Sequence, residues 1–191
     1  FIFVLLNAFF VLSEFAIVKI RKSKLEELSK DGVKNAKMAY EITNSLDSYL
    51  SATQLGITIS SLALGWIGEP AVAMLIEKPI NSIFETNATV IHSISFIISF
   101  TFITLLHVVL GELVPKSVAI ATPEKSVLFV AKPLHTFWVI FKPFIAVFDF
   151  LAGGILKLIG IRPAGESEIA HSEEEIKIIV AESLKGGVLD S

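Results

Sequence analysis

The residues best suited to chemistry stand at 111–116, in the run Gly-Glu-Leu-Val-Pro-Lys. Proline has no N–H to donate, and its ring crowds the carbonyl four residues earlier, which here belongs to Gly111. This carbonyl is therefore left without its helical donor, next to the carboxylate of Glu112. Hard cations such as Mg²⁺ and Na⁺ prefer carboxylate, carbonyl and hydroxyl oxygens as ligands. In the alternative interpretation, Pro115 ends a helix and Glu112 pairs with Lys116, four residues along the chain.

Hydroxyl, amide and glycine residues recur at spacings of three and four between residues 51 and 68. This spacing predicts that they share one face of a helix. Such a face lets helices pack closely in lipid, and it also suits the wall of an ion pathway, so the two interpretations are compatible. The residues are Ser51, Gln54, Thr58, Ser61, Gly65 and Gly68.

The first apolar segment carries polar residues at Asn7, Ser13 and Glu14. Asn7 and Glu14 lie two helical turns apart and therefore share a face. Either Glu14 is solvated or ion-paired at the membrane interface, or this face lines a polar site. We leave His92 and His107 out of the candidate site, because a single histidine in an apolar helix more often serves packing or hydrogen bonding.

The elements that position these residues are predicted to be membrane helices. Of the 191 residues, 53% are hydrophobic and 18% are charged, whereas about a quarter are charged in soluble domains. A crossing helix needs about 20 apolar residues, and residues 48–68 and 88–111 supply uncharged runs of 21 and 24. Residues 1–20 form a third span, because their basic residues follow the apolar run rather than precede it as in a signal peptide. The predicted fold class is an all-α membrane protein.

Residues 126–160 are also apolar, but four charged residues and two prolines interrupt them. This pattern favours a re-entrant or juxtamembrane helical belt, with a fourth crossing as the alternative. Residues 19–37 hold seven basic residues and residues 77–87 hold one. The positive-inside rule therefore predicts that residues 19–47 are cytoplasmic, and the C-terminal tail as well if residues 126–160 do not cross the membrane. We expect a multi-pass protein of the plasma membrane.

The chain changes character after residue 160. Residues 161–165, Ile-Arg-Pro-Ala-Gly, indicate a linker. Glutamates and an apolar helical pattern follow, and Ser172 and Glu175 have the spacing of a capping box. We therefore divide the chain into a membrane domain at 1–160 and a linker with an acidic amphipathic helix at 161–191, and we expect a soluble cytoplasmic region to follow.

Several segments together resemble the CorC/CNNM family, also called haemolysin-like, whose transmembrane module is the DUF21 domain. They are Ser13-Glu14, Leu-Gly-Ile-Thr at 55–58, the motif at 111–116, Ala-x-Pro-Glu at 121–124 and Ala-Lys-Pro-Leu at 131–134. The resemblance implies a homodimer with three transmembrane helices per subunit and a helical belt supplied by residues 126–160. It also implies Na⁺-coupled export of Mg²⁺, and CBS domains beyond residue 191 that bind Mg-nucleotide.

The resemblance places metal ligands at Ser13, on the polar face of the second helix and at Glu112. Many relatives carry Gly-Asn-x-x-x-Asn in that helix, whereas here Gly56 is followed by Ile57, and Ser61 holds the second asparagine position. A hydroxyl can replace an amide oxygen as a ligand, and isoleucine cannot. The candidate metal site comprises Glu112, Ser13, Ser61, the Gly111 carbonyl, Ser51, Thr58 and Glu14.

Two functions from different classes follow from these residues. The first is a secondary transporter that moves Mg²⁺, with Na⁺ as the coupling ion. The second is a membrane anchor that dimerises and holds the regulatory CBS domains without transporting anything. We predict that the protein is not an enzyme, because the sequence carries no hydrolase, P-loop or zinc-protease motif. A net charge of −3 gives no reason to expect nucleic acid as a partner.

Overall fold

The computed structural model describes residues 1–83 and 87–160, without the side chains of residues 82 and 83. All regular secondary structure in this part of the chain is helical, which confirms the all-α fold class. The predicted linker and acidic helix at 161–191 lie outside the described residues. The elements are α1 (Ile2–Lys19), α2 (Lys22–Lys30), α3 (Ala36–Asn44), α4 (Leu46–Ala63), a first π segment (Leu64–Gly68), α5 (Glu69–Ile83), α6 (Ala88–Leu106), a second π segment (His107–Leu113), α7 (Val114–Ala121) and α8 (Pro123–Leu158).

The two π-helical segments join shorter α-helices into long continuous ones. Helix α4 continues through the first π segment into α5, and α6 continues through the second π segment into α7. The two continuous helices contain 36 and 34 residues that meet the length and apolarity of a membrane span. At 1.5 Å per residue each is about 50 Å long. By length and composition, these two helices, α1 and α8 are each able to cross a membrane.

The region predicted as a re-entrant or juxtamembrane belt forms one helix, α8. Its 36 residues run through Pro133 and Pro143 without a break. Prolines are tolerated in membrane helices because neighbouring groups satisfy the freed backbone. Helix α8 is long and apolar enough for the alternative of a fourth crossing.

The buried core lies where α1, α2, α3, α4, α7 and α8 meet, within a compact unit at Phe1–Phe148. Two hydrogen bonds connect α8 to the start of α3 and to α4. Asn35 Nδ2 donates to the carbonyl of Leu128 over 2.9 Å, and Tyr49 Oη lies 2.6 Å from His135 Nδ1. The core residues are Ala16, Ile17, Ile20, Leu25, Ala39, Ile42, Tyr49, Ala119, Val127, Ala131 and Leu134.

Gly56 sets the contact between α1 and α4. The ring of Phe10 on α1 packs so closely that a Cβ at Gly56 would lie 2.5 Å from it. The face of α4 that becomes buried is Tyr49, Ala52, Thr53, Gly56 and Ser60. The prediction that one polar stripe forms the contact face is therefore wrong for Gln54, Thr58 and Gly65, which are exposed. Helix α1 therefore packs on the face of α4 that contains Gly56, because glycine leaves room there for the ring of Phe10.

Large apolar side chains are exposed along the first π segment, α5, α6 and the later part of α8. Trp66 is 84% exposed, Phe150 is 79% exposed and Leu158 is 87% exposed. Soluble monomers rarely expose contiguous apolar patches of this kind, whereas a lipid-facing helix needs them. The exposed surface and the long apolar helices therefore support a membrane protein.

Candidate functional site

Polar groups from three helices meet beside the second π segment. Helix α1 supplies Asn7, α4 supplies Ser61, and the second π segment supplies His107, Gly111 and Glu112. We call these five residues the polar cluster. Asn7 is fully buried, so its amide is held by protein groups alone.

Pro115 explains why a carbonyl is available to this cluster. The helix is widened just before it, since Val114 donates its N–H to the carbonyl of Val109, five residues earlier. Pro115 has no N–H with which to bond the carbonyl of Gly111. Asn7 Nδ2 donates to that carbonyl instead, over 3.1 Å. The carbonyl that Pro115 leaves free thus receives its hydrogen bond from α1.

The hydrogen bonds of Asn7 determine which groups of the cluster donate and which accept. Because Asn7 donates through Nδ2, its Oδ1 accepts, and Ser61 Oγ donates to it over 3.1 Å. The hydroxyl proton of Ser61 is then in use, so His107 Nε2, 3.3 Å from Ser61 Oγ, carries a proton and donates. His107 Nε2 also lies 3.7 Å from Glu112 Oε1. The amide of Asn7 therefore fixes which ring nitrogen of His107 bears the proton.

Glycine at residue 111 leaves room for this approach. A Cβ there would lie 3.0 Å from His107 Cδ2 and 3.2 Å from Asn7 Nδ2. Both distances are tighter than ordinary van der Waals contact. A larger residue would therefore push the amide of Asn7 away from the Gly111 carbonyl.

Glu112 stands at the edge of the cluster, with its side chain 48% exposed. Lys116, the partner in the alternative interpretation, points elsewhere: its Nζ lies 4.8 Å from the ring centre of Phe15. Within the described ranges the one cationic side chain recorded within 4 Å of Glu112 is His107, which is charged only when protonated. The carboxylate is therefore not neutralised by lysine.

A cavity of about 360 Å³ opens beside the cluster, between α4 with the first π segment and α6. Ser61 and His107 line it at the cluster end, and Glu69 and Thr104 line it further on. The rest of the wall is Leu64, Gly65, Phe96, Phe100 and Ile103. The polar cluster thus adjoins a space between the long helices.

A sequence profile described as the cyclin M transmembrane N-terminal domain matches residues 1–191. The chain belongs to the CNNM family. This confirms the resemblance that the motif at 111–116 carries.

The CNNM domain is similar to several bacterial proteins. It is 45% identical to the UPF0053 protein YrkA of Bacillus subtilis over 98% of this chain and 43% of that protein. It is 42% identical to the UPF0053 protein YhdT of the same organism, over 99% of this chain and 41% of that protein. It is 38% identical to the uncharacterized protein Rv1841c of Mycobacterium tuberculosis, over 96% of this chain and 52% of that protein. The chain therefore spans about two fifths to one half of the relatives it matches.

The CNNM domain brings only some of the predicted site residues together. Ser61, the Gly111 carbonyl and Glu112 lie in the polar cluster. Ser13 is fully buried, and its hydroxyl donates to the carbonyl of Phe9 over 2.7 Å. Thr58 is exposed and donates to the carbonyl of Gln54 over 2.8 Å.

Two further predicted residues lie outside the polar cluster. Ser51 is partly buried on α4, ten residues before Ser61. Glu14 is partly buried on α1, seven residues after Asn7.

Asn7 and His107 belong to the cluster, although the sequence analysis did not include them in the candidate site. The signal for Asn7 was visible, since it is an amide in an otherwise apolar helix, on the same face as Glu14. The signal for His107 was its position four residues before Gly111, which is one helical turn. Pairing Asn7 with Ser61 requires the packing of α1 against α4, and pairing His107 with Ser61 requires the second π segment to lie beside α4. Spacing along the chain gives neither contact.

The cluster offers oxygen ligands with a single negative charge. Ser61 Oγ, Asn7 Oδ1 and the Gly111 carbonyl each keep a lone pair after the hydrogen bonds above. In the described part of the chain, no three side chains of the histidine, cysteine, aspartate and glutamate types come together to hold a metal. A cation at this place would therefore depend on the Glu112 carboxylate and neutral oxygens, which is a ligand set for a hard cation.

Proposed function

We propose that this CNNM domain is a secondary transporter of Mg²⁺, with Na⁺-coupled export as its mode. The observation that carries the proposal is the polar cluster, in which amide, hydroxyl and carbonyl oxygens lie together between apolar helices, with the Glu112 carboxylate at the edge beside His107. Polar and ionisable groups are expensive within a membrane and mark ion pathways. The cluster adjoins a cavity between those helices, as a transported ion requires.

In the proposed mechanism Glu112 supplies the charge that attracts the cation. Ser61, Asn7 and the Gly111 carbonyl supply neutral oxygens, and water completes the coordination, because Mg²⁺ sheds its water reluctantly. One carboxylate leaves a divalent ion with a net positive charge. We propose Glu14 as the second anion and Ser13, Ser51 and Thr58 as further oxygens, which a change of conformation between the two faces would have to bring in.

Other parts of the proposal rest on the family resemblance and on loop charge. We propose that the domain is a homodimer whose subunits are joined to CBS domains that bind Mg-nucleotide and regulate transport. The exposed basic residues of α2 and the α2–α3 turn support a cytoplasmic position for residues 19–47. Mg²⁺ would then enter from the side on which Lys116 stands.

The second candidate function is a membrane anchor and dimerisation module without transport. One observation favours it: the hydrogen bonds of Asn7, Ser61 and Gly111 are already made within the protein. Such bonds fasten membrane helices to one another. An anchor needs no cation, so the two functions differ in whether a cation binds at Glu112.

A melting experiment on the full-length protein in nanodiscs, without nucleotide, separates the two. A cation that binds only the folded state stabilises it by about 1.4 kcal/mol at ten times its Kd. We expect Mg²⁺ to raise the Tm of the wild type and of Glu41→Gln, an exposed carboxylate on α3, but not that of Glu112→Gln. Equal shifts in all three proteins would place the cation elsewhere and favour the anchor.

A further inference from the structure

A groove of about 350 Å³ lies between α1, the second π segment with α7, and α8. It shares no lining residue with the cavity beside the polar cluster. Every side chain that lines it is apolar, so the groove is suited to a hydrocarbon occupant. The lining includes Leu5, Ala8 and Leu12 of α1, Leu110 and Val114 of the second π segment and α7, and Phe129 of α8.

The side chain of Phe129 shows that this surface is left uncovered by the rest of the chain that the structure describes. Its neighbours on α8, Val127, Val130 and Ala131, are fully buried, whereas Phe129 itself is 68% exposed. Contiguous exposed apolar surface marks a site of interaction with a protein or a membrane. In a membrane protein the acyl chains of lipids can fill such a groove.

The groove extends from a lysine to about the depth of one leaflet. Lys116 follows Pro115, which lines the groove, and its Nζ lies 4.8 Å from the centre of the Phe15 ring on α1. Leu5 lies ten residues before Phe15, which is about 15 Å along the helix. The hydrocarbon core of a bilayer is about 30 Å thick, so one leaflet accounts for about 15 Å. An acyl chain in the groove would therefore run from the level of Lys116 toward the middle of the bilayer.

Lys116 brings a positive charge to this end of the groove. None of the ion pairs among the described residues includes it. The face of the Phe15 ring attracts the ammonium group and holds it in place without neutralising its charge. At the same end, α1 leads into residues 19–37, which hold seven basic residues. A basic site between membrane helices on the cytoplasmic side is suited to the head group of an anionic lipid.

We propose that the groove binds an anionic phospholipid, with one acyl chain between α1 and α7 and its phosphate against Lys116. The inference uses the proposed cytoplasmic position of residues 19–47 and does not depend on transport. The bound chain contacts Leu110 and Val114, on either side of Gly111 and Glu112. The lipid therefore supports the segment that presents these two residues to the polar cluster.

Quenching of a tryptophan by brominated lipids tests this proposal. Phe129→Trp places a reporter in the groove, and the full-length protein with and without this substitution is reconstituted with brominated phosphatidylglycerol or brominated phosphatidylcholine at equal shares. Trp66 and Trp138 are common to both proteins, so the difference in fluorescence gives the quenching at residue 129. We expect phosphatidylglycerol to bind about fivefold more tightly than phosphatidylcholine, which is the effect of one lysine near an anionic surface.

Two lysines that lie over aromatic rings provide a matched comparison. Lys116→Gln should abolish the preference for phosphatidylglycerol. Lys142→Gln removes an amine that lies 5.0 Å from the centre of the Trp138 ring, and it should leave the preference unchanged. Ala8→Phe fills the groove while keeping Lys116, so it should weaken the preference as well. The melting temperature of each variant shows whether its fold is intact.

A reporter in a different apolar groove controls for general contact with lipid. Leu105→Trp lies in a groove of about 360 Å³ along α6 and the second π segment, which no basic residue lines, and both lipids should quench it equally. Equal quenching by the two lipids at residue 129, or a preference that persists in Lys116→Gln, would overturn the proposal. No quenching by either lipid at residue 129 would also overturn it, because the groove would then be covered by protein, such as a second copy of this chain.

Discussion

At Asn7 a single buried amide bonds two different helices. Its Nδ2 donates to Gly111 and its Oδ1 accepts from Ser61, so α1, α4 and the second π segment are joined through one side chain. A buried polar group that loses its partner costs about 1–3 kcal/mol. The amide therefore holds the oxygens of the polar cluster in place as well as offering one of its own.

Replacing Asn7 by leucine, which branches at the same side-chain carbon but cannot hydrogen-bond, should destabilise the protein. The Gly111 carbonyl and the Ser61 hydroxyl would lose their partners, so we expect a loss of about 1–3 kcal/mol and a weaker rise in Tm with Mg²⁺. Thermal unfolding in nanodiscs measures both effects. Asn44→Leu, at an exposed position on α3, is the control. Equal unfolding of Asn7→Leu and wild type would show that the amide has no such role.

At the scale of elements, Gly56 and Gly65 differ although both lie on the same long helix. A Cβ at Gly56 would lie 2.5 Å from the ring of Phe10, whereas nothing lies within 4 Å of a Cβ at Gly65. Overpacking typically costs 1–3 kcal/mol. Alanine in place of an unhindered helical glycine contributes up to about 1 kcal/mol instead. The same substitution to alanine at the two glycines therefore compares a crowded position with an open one.

We expect Gly56→Ala to lower the free energy of unfolding by about 1–3 kcal/mol and Gly65→Ala to leave it unchanged or raise it. The second substitution Phe10→Leu should restore part of the stability of Gly56→Ala, because it removes the ring that the new methyl group meets. Unfolding of the purified variants in nanodiscs provides the measurement. If Gly56→Ala is as stable as Gly65→Ala, α1 does not pack on α4 at this glycine.

Much of the element order could be predicted from the sequence. Uncharged runs located two long helices, and the chemistry of proline identified the carbonyl of Gly111 as free. The donor to that carbonyl could not be predicted, because Asn7 lies 104 residues away and only the packing of α1 brings it near. The buried face of α4 depends likewise on how Phe10 fits over Gly56. Pro133 and Pro143 suggested a broken segment, whereas α8 continues through both.

In the whole molecule, the surface and the interior have different roles. The exposed apolar side chains of the long helices are suited to contact with lipid. The polar residues of the cluster and the cavity lie between the helices. The cluster combines neutral oxygens with the carboxylate of Glu112. The central claim is that a cation crosses the membrane by way of this carboxylate.

The flux of Mg²⁺ into or out of liposomes, followed with a trapped dye, tests that claim most directly. The full-length wild type, Glu112→Gln and the control Glu41→Gln are compared with and without a Na⁺ gradient. We expect flux that responds to the Na⁺ gradient in the wild type and the control, and none in Glu112→Gln, since the variant lacks the charge that holds the ion. Transport of Mg²⁺ by Glu112→Gln at the wild-type rate, or no flux in the wild type, would contradict it.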